Sequence, residues 1–295
     1  NGTLIGRKLV IQNCRKNNVT INGGTIEATE DGGCAIENLQ TGVITLGNND
    51  GNISKEIPVI KSKTYCILNR SGTFNFYDGV LIGKENQNIQ GIVSEIPKNT
   101  ELCKELKDDD LEYITLGIPT TYVAKIAESC EPNVTDLDSK YYKLEDGYYY
   151  FITLNSAVES SSYTKPTVIE LIDNPWICRL IEIKQNQNIE IKFNDKTIYS
   201  FTNLTFINNG NISLNNESTG EEITYGNIIQ NGGNIIENSE NSEFNINKIN
   251  IEYCGNSGQT NDPKKLIYNK GTLNVKDSKY TAISNSSLLD AICYY

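Results

Sequence analysis

A short phrase recurs along the chain and limits the folds open to it: an apolar pair, Asn, a gap, Gly, then alternating apolar residues. It reads Ala35-Ile36-Glu37-Asn38 before Gly42-Val43-Ile44-Thr45-Leu46, and Cys66-Ile67-Leu68-Asn69 before Gly72-Thr73-Phe74-Asn75-Phe76. Further copies run from Phe206 to Leu214, from Ile228 to Ile236 and from Leu266 to Val275. Alternation puts Ile and Leu on one face of a strand and Asn, Thr and Lys on the other. Asn and Gly suit the corners between strands because both tolerate positive φ. A strand this short cannot bury its apolar face alone, so the copies must stack. The uneven intervals between Asn-Gly corners fit a parallel β-helix with loop excursions better than a strict consensus repeat. At about 4.8 Å per layer and roughly 20–25 residues per layer, the stacked part is on the order of 50 Å long.

Composition supports this reading and gives Asn a second role. The chain holds 39 Asn and 39 Ile but only 7 Pro and 23 Gly, the profile of a folded β protein and not of a linker. In stacked layers, like residues at equivalent corners ladder their side-chain amides. An AT-rich coding sequence also raises Asn, Ile, Lys and Tyr together, and both causes contribute.

The rhythm breaks between residues 101 and 165, where Asp108-Asp109-Asp110, Pro119, Pro132 and the cluster Tyr148-Tyr149-Tyr150-Phe151 fall. Leu154, Ala157 and Val158 share one helical face, so 154–160 is expected to form a short helix that covers an open strand edge. Strand alternation resumes at Thr167-Val168-Ile169-Glu170-Leu171-Ile172. The expected fold is all-β: a right-handed parallel β-helix in two segments, 1–100 and 166–295, around an irregular junction at 101–165.

The two ends read as halves of one phrase. Ala291-Ile292-Cys293-Tyr294-Tyr295 stops before the Gly, and Asn1-Gly2-Thr3-Leu4 begins with the second half. Joined, they have the spacing of Cys66 through Phe74, with Tyr294 where that copy has Asn69. This suggests one period of a tandem array, as does the missing initiator methionine. A slice through any such repeat gives the same impression.

Two stretches carry a resemblance: Val19-Thr20-Ile21-Asn22-Gly23-Gly24-Thr25-Ile26 with Gly72 to Gly79, and Leu154 to Ile198. The second combines a short helix, the strand Val168 to Ile172, the strand Asn188-Ile189-Glu190-Ile191 and the corner Asn194-Asp195-Lys196. Both stretches resemble repetitive β-helical surface proteins of AT-rich Gram-positive bacteria, which usually place Gly where Asp195 stands. The resemblance implies a secreted, cell-surface β-solenoid acting as a stalk or adhesin.

Chemistry is excluded more readily than it is found. With 26 Lys+Arg against 37 Asp+Glu the net charge is −11, which argues against binding nucleic acid or anionic lipid. No apolar run reaches the length of a membrane span. There is no His, so Ser-His-Asp, Cys-His and His-ligated metal sites are ruled out. Cys14, Cys34, Cys66, Cys103, Cys130, Cys178, Cys254 and Cys293 contain no CxxC pair; they form disulfides in an exported protein or are buried as free thiols.

Parallel β-helices also carry polysaccharide lyases and hydrolases, whose chemistry needs paired carboxylates or a Lys or Arg base beside acidic groups or calcium. Asp108-Asp109-Asp110, with Glu105 and Glu112, reads as a solvated loop. Asp136 and Asp138 alternate as in a calcium loop that lacks its remaining ligands. Arg7, Arg15, Arg70 and Arg179 sit in no acidic constellation. Tyr141-Tyr142, Tyr148 to Phe151 and Trp176 read either as a sugar-stacking platform or as rings covering the end of a core. Sequons at Asn18, Asn52, Asn133 and Asn203 matter only if the source glycosylates exported proteins.

No catalytic, cofactor-binding or metal-ligating residue is assigned. The expected function is a non-enzymatic structural unit of an extracellular fibre or surface adhesin stalk. Its partners would be copies of itself stacked head to tail, with a glycan or host surface as a further contact. The alternative is a glycan-binding or polysaccharide-degrading β-helix.

Overall fold

The computed structural model describes residues 2–48, 57–85, 87–97, 100–106, 111–202, 204–217, 223–230, 234–253, 266–282 and 292–294. Strands account for 54% of the structure and helices for 5%, and most strand pairs are parallel. The described residues form two compact units, one up to Ile118 and one from Pro119 onward.

In the first unit, consecutive strands go to three sheets in turn, so each strand pairs with the third one after it. Sheet 1 stacks Thr3–Gly6, Thr25–Ala28, Val59–Ser62 and Val80–Lys84; sheet 2 stacks Leu9–Asn13, Cys34–Asn38, Tyr65–Asn69 and Ile89–Gln90. Sheet 3 stacks Asn18–Ile21, Val43–Leu46 and Thr73–Phe76. All of these pairs are parallel and in register, so alternate residues form files that run through the stack. Leu4, Ile26, Ile60 and Leu81 make one inward file, Ile11, Ile36, Ile67 and Ile89 a second, and Val19, Ile44 and Phe74 a third.

The second unit repeats the scheme. Sheet 4 carries Thr167–Leu171, Asn188–Lys192, Asn211–Asn215, Glu243–Asn247 and Thr272–Lys276. Sheet 5 carries Trp176–Ile177, Thr197–Ser200, Gly226–Gln230, Ile249–Tyr253 and Lys279–Ala282. Sheet 6 carries Ile181–Ile183, Leu204–Asn208, Asn234–Asn238, Ile267–Asn269 and Ile292–Tyr294. One apolar core joins the three, with Ile191 from sheet 4, Ile228 from sheet 5 and Phe206 from sheet 6 all fully buried in it.

Each unit departs from parallel pairing at one edge. In sheet 1, Val80–Lys84 pairs antiparallel with Leu111–Gly117, which pairs antiparallel with Glu101–Leu106. In sheet 4, Thr167–Leu171 pairs antiparallel with Ala124–Ala127, followed by Tyr148–Phe151 and Tyr142–Glu145. The sequence reading of 101–165 as a junction with only a helix missed these five strands. They lack the Asn-Gly corner, and in Leu111-Glu112-Tyr113-Ile114 the alternation is masked by a buried Glu112.

The helix forms at Leu154–Glu159, as its periodicity requires. Thr153 caps it, its hydroxyl accepting from the Ser156 N–H at 3.0 Å. Leu154, Ala157 and Val158 are buried, and the helix packs against Ala124–Ala127, Tyr148–Phe151 and the edge strand Ile181–Ile183. Gln187 Nε2 donates to the carbonyls of Val158 and Ser161, both at 3.2 Å, and ties the helix end to the sheets.

Candidate functional site

The recurring Asn residues form hydrogen-bonded ladders. Asn13 Nδ2 donates to Asn38 Oδ1 at 2.9 Å, and Asn38 Nδ2 to Asn69 Oδ1 at 3.0 Å. In sheet 6, Asn208 donates to Asn238 at 2.8 Å and Asn238 to Asn269 at 2.6 Å. Rung separations are 25 and 31 residues in the first ladder and 30 and 31 in the second; the first falls within the layer length expected from the sequence and the other three exceed it. All five of Asn13, Asn38, Asn69, Asn208 and Asn238 are buried, and each amide also bonds the backbone of the following corner or a neighbouring rung.

The ladder corrects the explanation of the Asn-Gly corners. Neither the ladder Asn residues nor Gly42, Gly72, Gly210 and Gly271 have positive φ. What these positions need is room: a Cβ on Gly42 would lie 2.5 Å from Asn13 Nδ2, and one on Gly72 would lie 2.2 Å from Asn38 Nδ2. Two assignments also move. The copy read from Ile228 begins in sheet 5, where Gln230 bonds Thr205 and Thr202, and its corner at 231–233 lies outside the described residues. The head strand Thr3–Gly6 lies in sheet 1, whereas Val43–Leu46 and Thr73–Phe76 lie in sheet 3. The head therefore occupies a different strand position from the second halves that it resembles.

Burial along the files shows where stacking stops. In sheet 1, exposure falls from 56% at Leu4 to 4% at Ile26 and 0% at Ile60 and Leu81. In sheet 4, Ile191, Leu214 and Ile246 are buried while Val275, next in the file, is 40% exposed. Both are edge strands with no further neighbour among the described residues. Their free peptide groups can be located: Thr25 N donates to Gly2 O and Thr29 N to Gly6 O, so Thr3 and Ile5 turn their N–H and C=O outward. Likewise Val43 N bonds Asn17 O and Gly47 N bonds Ile21 O, which leaves Asn18 and Thr20 facing out.

The leading edge is also basic. Arg7, Lys8, Arg15 and Lys16 lie in residues 1–26 with no Asp or Glu, so the rest of the chain carries −11 − 4 = −15. Arg7 pairs with Glu30. The trailing edge, 266–282, holds Lys270, Lys276 and Lys279 against Asp277, a net of +2.

The aromatic cluster divides by strand alternation. Tyr142, Tyr149 and Phe151 turn to the core, with ring centroids 6.0 and 6.4 Å from Tyr142. Tyr122, Tyr148 and Tyr150 turn outward, but Lys143 Nζ stands 4.8 Å from the Tyr122 centroid and 5.1 Å from that of Tyr150, and Lys125 stands 4.3 Å from that of Tyr148. Each of these outward rings thus has the protein's own cation against one face. Trp176 packs between Tyr199 and Phe201, at 5.7 and 5.1 Å.

The other candidates disperse. Asp138 accepts from Lys140 N at 3.1 Å, and this bond holds its carboxyl below the ordinary range. No group of His, Cys, Asp or Glu suited to a metal occurs among the described residues. Asp108 to Asp110 and the sequons at Asn52 and Asn203 lie outside those residues; Glu105 is exposed and Glu112 buried. Arg70 pairs with Glu37 at 2.6 Å. Cys14, Cys34, Cys66, Cys103, Cys130 and Cys178 are free thiols. No helix among the described residues is long and apolar enough to cross a membrane.

One concavity gathers polar groups that no motif announced. It is a groove of about 490 Å³ in the second unit, between the short helix and Ile181–Ile183, with Asp136, Glu159, Glu182 and Lys184 on its walls. Comparison with protein-family models, curated proteins and solved structures returns no match to the chain.

Proposed function

We propose that the chain is a non-catalytic structural unit of an extracellular, cell-surface fibre or adhesin stalk. In this reading each unit is a segment of right-handed parallel β-solenoid, the hand general for parallel crossover connections. Stalks lengthen when the open edge of one copy receives the edge of the next, head to tail, through backbone pairing.

The observation that carries this reading is the asymmetry of each unit. Antiparallel strands cover one edge, while the other leaves aligned peptide groups and apolar residues of a core file exposed. Ladders of buried amides and in-register files suit a body that resists extension, because every layer adds the same bonds as the last. The resemblance of Val19 to Ile26 and Leu154 to Ile198 to β-helical surface proteins supports the same placement.

Analytical ultracentrifugation and negative-stain microscopy of the intact chain test it. Concentration-dependent end-to-end oligomers are expected, and Ile5→Lys with Thr20→Pro, both at outward-facing positions, should abolish them. A monomer at all concentrations, or oligomers unaffected by the paired substitutions, would overturn the proposal.

A further inference from the structure

We infer that the groove beside the short helix of the second unit binds a neutral oligosaccharide. The groove, of about 490 Å³, is the size of ordinary small-ligand clefts. Two of its residues are buried and polar: Asn155 is 6% exposed and Ser160 is 1% exposed. Asn155 is held by its amide nitrogen, which donates to Leu180 O at 2.9 Å and Arg179 O at 3.4 Å. No hydrogen bond to Asn155 Oδ1 or Ser160 Oγ occurs among the described residues, and neither atom is among those shut off from solvent without a partner, so both open onto the groove. Held on largely buried residues and unused by the protein itself, they can accept from or donate to an incoming hydroxyl that takes the place of water in the groove.

The walls fit the same ligand class. Tyr163 and Leu180 are 44% and 41% exposed beside this floor, and so offer apolar surface to the C–H face of a sugar ring. Asp136, Glu159 and Glu182 are exposed acceptors for further hydroxyls, and Lys184 adds a donor. Glu182 already accepts from Asn209 Nδ2 at 3.3 Å, which orients its carboxylate. A cationic ligand gains less, since ion pairs at exposed carboxylates contribute little and leave the buried neutral groups unserved. The groove shares no residue with the strand edges of the proposed fibre joint, so either proposal can fail without the other.

The intact chain should be titrated with neutral hexasaccharides of glucose, xylose, mannose and N-acetylglucosamine, and separately with spermidine. Ligand-observed saturation-transfer NMR and calorimetry give the readout. At least one neutral oligosaccharide is expected to bind, and Tyr163→Ala to weaken it by about tenfold, the scale of one lost aromatic contact. Ser160→Ala should weaken it as well, while Tyr148→Ala on the outer sheet face should not, and circular dichroism checks that each variant is folded. Failure of every neutral oligosaccharide, binding indifferent to Tyr163→Ala and Ser160→Ala, or spermidine alone binding at these residues would each overturn the inference.

Discussion

Replacing Asn38 with Asp tests whether the amide ladder stabilises the stack or merely accompanies it. The change keeps the shape of the side chain, so no cavity forms, but it replaces the donating nitrogen with oxygen. That nitrogen now serves Gly42 O at 3.0 Å, Asn69 Oδ1 at 3.0 Å and Thr73 O at 3.1 Å, all in a residue with no exposed surface. At neutral pH the introduced carboxylate would face three acceptors, losing about 1 kcal/mol for each hydrogen bond and the added cost of a buried charge. A loss of roughly 3–5 kcal/mol of stability is therefore expected in the Asn38→Asp chain at neutral pH.

The pH dependence separates this cause from any general effect of substitution. Burial among acceptors raises the pKa of the new carboxyl above its unfolded value of about 3.9, and each unit of displacement adds about 1.4 kcal/mol to the neutral-pH cost. A group with a raised folded pKa gives its stability below the unfolded pKa and loses it as pH rises through the folded one. The variant should therefore approach the parent chain near pH 4 and fall away toward pH 7. Urea denaturation by far-UV circular dichroism, with hydrogen exchange over residues 34–46, measures both effects. Asn48→Asp, at an exposed position, serves as the control. A neutral-pH loss below about 1 kcal/mol, or one independent of pH, refutes a ladder that contributes at the level of ordinary buried hydrogen bonds.

Gly72→Ala should destabilise the first unit by about 1–3 kcal/mol through overpacking against Asn38 and Gly42, while Gly2→Ala, whose Cβ meets nothing, should be silent in the same denaturation experiment. The Cys34 thiol, pushed up to about 12 by burial and next by Glu37, gives stability that is complete below its unfolded value near 9 and is lost as pH rises toward 12. Cys34→Ala should shrink that alkaline decline, and an unchanged slope would count against the assignment. Mass-spectrometric alkylation of the native chain at about pH 8 should spare Cys34 and Cys66 and modify Cys14, Cys130 and Cys178, since reactivity follows exposure and thiolate character. Because both open edges carry excess cations, raising salt should strengthen end-to-end association; weakening by salt would mean that the joint is not the one proposed.

How far the fold was legible depended on what repeated. Cys34–Asn38 and Tyr65–Asn69 were readable because an inward file, an Asn and a following Gly recur together, and the helix at Leu154 because its periodicity changes. The antiparallel strands Glu101–Leu106, Leu111–Gly117 and Tyr148–Phe151 were not, since they form the margins of the stacks, where no copy precedes or follows to set a pattern. The same reason hides the groove. Asn155, Ser160, Tyr163 and Glu182 fall on a helix, a loop and a sheet-edge strand, in ordinary residue types without motif spacing, and only the packing of the helix on Ile181–Ile183 brings them together. The Asn-Gly corners show a subtler limit: a glycine required because no side chain fits and a glycine required by its φ leave the same letter.

The ladders explain why Asn and not Gln or Ser fills these positions. Parallel in-register stacking repeats a residue's environment at the strand spacing of about 4.8 Å, and a short planar amide has one donor edge and one acceptor edge to span it. Each rung therefore donates in one direction only: Asn13 toward Asn38 toward Asn69, and Asn208 toward Asn238 toward Asn269. Elsewhere in the second unit the direction is reversed, Asn247 donating to Asn215, Asn250 to Asn227 and Asn274 to Asn245, so the direction of donation belongs to each file of residues and not to the stack as a whole.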